Sequence, residues 1–445
     1  MGVAETTWGR RWRLLLPALG LSAALVLAAC GGDDNGSTST GGSAAPAKTQ
    51  AASTQSASSS ESPAITDFKS YVGGKAGKAT GSPITIGWVN LQGGQADFSP
   101  ATRGAKATVK YINEELGGVD GHVVKLKTCY IANAEEEGQR CGQLMANDDN
   151  VKIVNFGAVT IGNQSYFAQV KGSKVTIVGV SSSPADYKQK NTYALIGSSA
   201  SVLAPFGTFA RDKLHAKTAA LVFNQQAGTV PIAKAEEKGL KDAGVKVKTV
   251  GFDPQTTDLL GPITAAGSQS ADVLVPVTDV PNCINYAKAL KSSGLQKPVL
   301  SAPLCIAQPV ADALGDFPQW TYGIAQDLPG DLSNPTVKAY NDAITKYGAS
   351  KSDATNVFTA LAFSDLLASV KVMNQVGYDN LTTDKLSAAF KSFKGPVIMG
   401  PPSLQCGKYP DAPIVCNDQT QFYDYKGKGK FVKAAGWTRP PTSTG

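Results

Sequence analysis

From Ile84 to Ser301 the chain alternates short apolar runs with stretches of helical spacing. The runs are Ile84–Val89, Val123–Thr128, Ile153–Phe156, Thr176–Val180, Thr218–Phe223, Val245–Gly251, Val273–Val277 and Pro298–Ser301. Between them lie Pro100–Glu115, Ala134–Ala146, Ser201–Leu214, Ile232–Ala243 and Ile284–Ser293, whose pattern predicts helices. Alternating strands and helices predict an α/β chain with parallel sheets covered on both faces. The runs are apolar almost throughout, as strands buried on both faces require. Two such series are visible, from Ile84 to about Ser199 and from about Val202 to Tyr322. Roughly 360 residues exceed one ordinary core, so two lobes are expected. A long helical stretch, Pro335–Phe390, has breaks near Gly348 and Gly377. A final hairpin pairs Gln421–Tyr425 with Lys430–Val432 across a turn at 426–429.

The first 64 residues follow another plan. Arg10, Arg11 and Arg13 precede an apolar run from Leu14 to Ala29, and Leu27-Ala28-Ala29-Cys30 follows. A charged start, an apolar middle and small residues before a cut predict a signal peptide over 1–29. The run is about 16 residues, short of the ~20 that span a bilayer. The Cys after the small residues resembles a bacterial lipobox, which implies cleavage before Cys30 and acylation of its sulfur. Residues 31–64 are nearly all Gly, Ser, Thr, Ala, Gln and Asp, too poor in large apolar side chains to fold. They read as a tether reaching about 30–40 Å, with Ile65–Tyr71 as a weak apolar patch before the first strand. No later apolar run is expected to cross a membrane.

Seven cysteines are present. With Cys30 lipidated, six remain in an exported chain, which suggests disulfides. They fall into local pairs, Cys129/Cys141, Cys283/Cys305 and Cys406/Cys416, and local pairing is expected. No CxxC occurs and His122 and His215, the only histidines, lie far from the pairs, so no metal is expected. The formal charge is +7, and loss of 1–29, with Arg10, Arg11, Arg13 and Glu5, leaves +5. That mild, dispersed charge offers no nucleic-acid surface.

Several segments together resemble the branched-chain amino-acid type of substrate-binding protein that serves ABC transporters, the type I periplasmic binding fold. They are Ile84-Thr85-Ile86-Gly87, Gly104-Ala105, Tyr111-Ile112-Asn113, Gly117-Gly118-Val119-Asp120-Gly121-His122, Ile153-Val154-Asn155-Phe156-Gly157 and the Thr-Thr-Asp stretch ending at Asp258. The resemblance covers about residues 82–435. It implies two doubly wound lobes joined by three crossing strands, with a ligand cleft between them. The boundaries expected are 1–29 for the signal peptide, 30–82 for the lipidated Cys and tether, 83–200 plus 328–383 for the N-lobe, 201–327 plus 384–438 for the C-lobe, and a disordered tail at 439–445.

In such a fold the ligand lies beyond the carboxyl ends of the strands, near helix N-termini. The residues expected to bind ligand are Asn90, Gln92 and Gln95 after the first strand, Thr160 after the third, Ser181, Ser182 and Ser183 after the fourth, and Gln226 and Asp279 in the second lobe. Small hydroxyls at helix starts are also N-caps, and Asp279 fits ammonium recognition and capping equally. The second lobe departs from the family pattern. Its loop Asn224–Thr229 lacks the usual aromatic residue, and Ala302–Cys305 lacks the usual acid. Trp88, inside the first strand, reads as core.

The function expected is an extracytoplasmic solute-binding lipoprotein, anchored through Cys30 on the outer face of the cytoplasmic membrane. It captures a small polar solute (an amino acid, amide or related carboxylate) by lobe closure and delivers it to an ABC permease. It acts as a monomer without cofactor. A ligand-binding sensor of the same fold and an envelope scaffold without ligand are the alternatives. No GxSxG, P-loop or strand-borne GxGxxG appears, and the two histidines lie in polar positions, so an enzyme is not expected.

Overall fold

The computed structural model describes residues 62–441 apart from 95–96, 181–185 and 227. The signal peptide, Cys30 and most of the tether lie outside the described residues. The body begins with α1 (Phe68–Val72), then β1 (Gly81–Leu91), α2 (Ser99–Glu115), β2 (His122–Ile131), α3 (Glu135–Ala146), β3 (Val151–Phe156), α4 (Asn163–Val170), β4 (Val175–Ile177) and β5 (Thr192–Tyr193). These five strands form one all-parallel sheet in the order β2-β1-β3-β4-β5. Alternation along β1 serves two cores. Ile84, Ile86 and Trp88 face one apolar cluster, and Val89 and Leu91 the other. Trp88 is fully buried and its Nε1 donates to Thr102 Oγ1 at 3.0 Å.

The second lobe comprises α5 (Ser199–Asp212), β6 (Thr218–Asn224), α6 (Thr229–Asp242), β7 (Lys246–Phe252), α7 (Leu260–Ala265), β8 (Val273–Val277), α8 (Val280–Ser293), β9 (Leu300–Ser301), α9 (Gln308–Leu314) and β10 (Thr321–Ile324). Strands β7-β6-β8 are parallel, and a bridge from Leu274 to Val299 links β8 to the segment entering β9. The chain then returns to the first lobe as α10 (Pro335–Lys346), α11 (Lys351–Ala354), α12 (Val357–Val376) and α13 (Thr383–Lys391), and ends with β11 (Thr420–Tyr425) and β12 (Phe431–Thr438). These last strands extend the second lobe's sheet, β11 lying antiparallel to β10.

Three segments cross between lobes, near residues 194–198, 325–328 and 416–420. They are tied side by side: Asn417 Nδ2 donates to Ile196 O at 2.8 Å, and Gln421 Nε2 to Asp327 Oδ1 at 2.7 Å. The architecture is the two-lobe α/β fold expected, with four corrections. The final crossing is later than residue 384. Helix α13 packs on the first lobe, where the Tyr193 and Phe390 rings stack at 5.4 Å and Tyr193 Oη bonds Ser387. The tether ends before residue 82, because Phe68, Tyr71 and Val72 of α1 are buried in the first lobe's core. The tail is tied down at its start, since Arg439 pairs with Asp418 at 2.7 Å and its carbonyl accepts from Thr208 Oγ1; residues 442–445 lie outside the described residues. Lastly, α12 has the length and hydropathy of a membrane span. It is the core helix of the first lobe, capped by Asn356 and stopped at Gly377.

The three local cysteine pairs are joined. Cys129–Cys141 ties β2 to α3, Cys283–Cys305 ties α8 to the turn after β9, and Cys406–Cys416 closes a loop before the last crossing.

Candidate functional site

Between the lobes lies a cavity of about 170 Å³. Each wall comes from where an element ends or begins. The first lobe supplies Gly179 and Val180 after β4, and Val357, Phe358 and Leu361 from the first turns of α12. The second lobe supplies Val202, Leu203 and Phe206 of α5, Thr229 and Ile232 of α6, the end of β8, Ser301 at the end of β9 and Ala302–Cys305 after it. The crossings supply Ile196, Gly197, Ala325, Gln326 and Thr420. Phe206 is held in place because Gly323 presents no side chain. A Cβ there would collide with the ring. Phe422 packs edge-on against the same ring at 5.2 Å.

Among the described residues, no side chain lining the cavity is ionisable. The described wall therefore carries no fixed charge. Its polar groups are mostly engaged. Ser301 Oγ donates to Ala302 O, Thr420 Oγ1 to Val202 O, and Thr278 Oγ1 meets Cys283 Sγ. Gln326 donates through Nε2 to Val357 O at 2.6 Å, while its Oε1 is buried with no partner among the described residues. Just behind the wall are two carboxyls without partners: Glu236, one turn beyond Ile232, and Asp365, one turn beyond Leu361. Burial pushes both well above the usual carboxylate range, which favours their neutral form.

Of the polar residues expected to bind ligand, those that are described stand off the wall of this cavity. Asn90 is fully buried and spent. Its Nδ2 donates to Phe98 O and Thr102 Oγ1, and its Oδ1 accepts from Ala158 N. It pins the loops after β1 and β3 together. Gln92 has its Oε1 buried without a partner, away from the cavity wall. Asp279 is the N-cap of α8, accepting from Asn282 N at 3.0 Å, while its other oxygen accepts from Gln226 Nε2 at 3.0 Å. Thr160 stands across the cleft from Gly228, where a Cβ would lie 3.2 Å from its Oγ1. Thus Gln226 and Asp279 are brought together, and Thr160 meets the residue two beyond Gln226. None of these described residues lines the cavity. Gln95 and Ser181–Ser183 lie outside the described residues.

Sequence reasoning missed Phe206, Ile232, Phe358 and Leu361 because each sits in a helix at ordinary core spacing. The sequence cue nearest to this wall was the lack of an acid in Ala302–Cys305, which put an ammonium-bearing ligand in doubt and which forms part of the wall.

A family model described as periplasmic binding protein matches residues 83–408. No curated protein matches the chain. Among solved structures, a leucine binding protein from Thermotoga maritima is similar at 15% identity, with 80% of this chain and 99% of that one covered and a TM-score of 0.65. A solute binding protein of an ABC transporter from Rhodopseudomonas palustris, in complex with p-hydroxybenzoic acid, is similar at 16% identity, covering 82% and 99%, with a TM-score of 0.66. A fatty acid ABC transporter substrate-binding protein from Thermomonospora curvata is similar at 15% identity, covering 82% and 95%, with a TM-score of 0.64.

Proposed function

Since the chain belongs to the periplasmic binding protein family, we propose that it is the extracytoplasmic solute-binding component of an ABC importer, held at the membrane by lipid on Cys30. It closes its lobes on one small solute and presents the closed form to a permease. The observation that carries this reading is the cavity walled by both lobes. A solute there contacts both walls at once, so it favours the closed arrangement over the open one.

The test is a melting screen of the mature protein against solute classes, paired with small-angle scattering. A solute at ~100 times its dissociation constant adds about 2.7 kcal/mol and raises the melting temperature. The same solute must reduce the radius of gyration. A panel with no hit on folded, ligand-free protein, or a hit without compaction, overturns the reading. Replacement of Cys30 by Ala should release the protein from the membrane fraction, and its retention there would refute the anchor.

A further inference from the structure

We infer that the solute is a small, mostly apolar molecule with one oxygen-bearing head group and no ammonium. This inference rests on the solute-capture reading above and narrows it. The argument starts with the wall. Phe206, Ile232, Val277, Ile324, Phe358 and Leu361 surround the cavity with aliphatic and aromatic carbon. Its volume of about 170 Å³ is close to the ~150 Å³ of an engineered apolar cavity that stays dry and holds benzene. One six-membered ring or a branched chain of similar size fills it.

Charge narrows the class. An α-amino acid brings an ammonium as well as a carboxylate. The acid expected to receive that ammonium, Asp279, is committed to the α8 cap and to Gln226 and stands off the wall. No other ionisable side chain among the described residues lines the cavity; Glu236 and Asp365, one turn beyond Ile232 and Leu361, are fully buried and off the wall. Burying an ammonium without an anion costs several kcal/mol, which no wall of methyl groups returns.

The head group is placed by what remains uncommitted on the described wall: the buried Oε1 of Gln326, a neutral acceptor that suits a hydroxyl or protonated head group, and two hydroxyls. Ser199 and Thr229 line the cavity on the first turns of α5 and α6, and their hydroxyls carry no hydrogen bond among the described residues. Two hydroxyl donors at the amino ends of two fourteen-residue helices suit an oxygen acceptor, charged or neutral. Among the described residues, the other hydroxyls on the wall, on Ser301, Thr420 and Thr278, are engaged with the protein.

The experiment is calorimetry on the mature protein, unfolded and refolded to remove bound solute, with probes matched in their apolar part. The pairs are 4-methylpentanoate against leucine and 3-phenylpropanoate against phenylalanine; 4-methylpentanol tests a neutral head, and glucose and glutamine are polar controls. The acids or the alcohol should bind, with each amino acid weaker by roughly 100-fold or more. Amino acids binding as tightly as their matched acids overturn the inference. Binding confined to glucose or glutamine also overturns it, yet leaves solute capture standing. No binding by any probe to protein that mass spectrometry shows to be empty overturns both. Ile232→Trp should fill the cavity and abolish binding of a positive probe. If that variant does not fold, Ser199→Ala with Thr229→Ala must weaken the acids about tenfold or more. Wild-type affinity in the folded variant refutes the placement.

Discussion

The proposed closure of the lobes should be open to blocking at one residue. Gly228 precedes α6 with φ −75°, a conformation open to any residue, so a side chain there causes no backbone strain. The obstacle is across the cleft: a Cβ on Gly228 would sit 3.2 Å from Thr160 Oγ1, 3.3 Å from Thr160 Cβ and 3.5 Å from Thr160 O. Alanine needs these atoms to yield by a few tenths of an ångström. Leucine adds three carbons where contacts need ~3.5–4.0 Å. Overpacking of that kind costs about 1–3 kcal/mol, charged only to the closed form, so Gly228→Leu should weaken solute binding roughly 5- to 150-fold. Gly228→Ala should cost about fivefold or less. Calorimetry with whichever probe binds the wild type measures the affinity, scattering measures compaction, and thermal melting of the empty protein should be unchanged. Thr160→Gly in the Gly228→Leu background should recover part of the loss, a coupling that a double-mutant cycle isolates. Unchanged affinity and compaction in Gly228→Leu, or a loss that Thr160→Gly leaves untouched, would refute the contact as the limit of closure.

Three further outcomes are expected. Burial raises the Asp365 and Glu236 carboxyls in the folded state, so their contribution to stability is greatest below the ordinary carboxylate range and falls as pH rises toward the native values; Asp365→Asn and Glu236→Gln should melt higher at neutral pH and show a shallower decline, and a denaturation series across pH that leaves the slope unchanged refutes this. Removing Cys283–Cys305, which closes a separation of 22 residues, should cost about 3 kcal/mol in the chain-entropy account and also weaken binding of a cavity probe, since Cys305 is on the wall; removing Cys129–Cys141 should cost stability alone, and equal affinity losses in the two variants count against the distinction. Phe206→Ala should lower stability by about 3–5 kcal/mol, read by chemical denaturation, because its ring fills the space over Gly323 and against Phe422.

The fold was legible because each element announces itself locally. The apolar run Ile84–Val89 lies within β1, Pro100–Glu115 matches α2 within a residue, and the hairpin turns where its Gly and Lys residues cluster. The two-residue strands β5 and β9 carry too little pattern to delimit alone, and the position of α13 depended on tertiary packing against Tyr193. The site was harder to read. Asn90 occupies the expected position after β1, but local hydrogen bonds to Phe98, Thr102 and Ala158 consume it. Sequence position shows that a polar side chain is near a cleft; it does not show which partner claims it. Conversely, Ile232 and Leu361 look like core residues because they are chemically the same, and only the assembled lobes show that they face a cavity between the lobes.

The short helix at the beginning of the body decides where the chain can be cut. Phe68, Tyr71 and Val72 lie buried in the first lobe's core, Lys371 Nζ donates to Tyr71 O, and Asn374 Nδ2 to Val72 O. Further upstream, Ser62 Oγ donates to Gly400 O and accepts from Trp437 Nε1 of the last strand. A truncation starting at residue 83, where the family match begins, would therefore strip a piece of the folded domain and bare greasy surface on its central helix. Secretion vectors, biosensor fusions and crystallisation trials should preserve the chain from upstream of Ser62, and a reporter fused at residue 83 would measure a damaged protein.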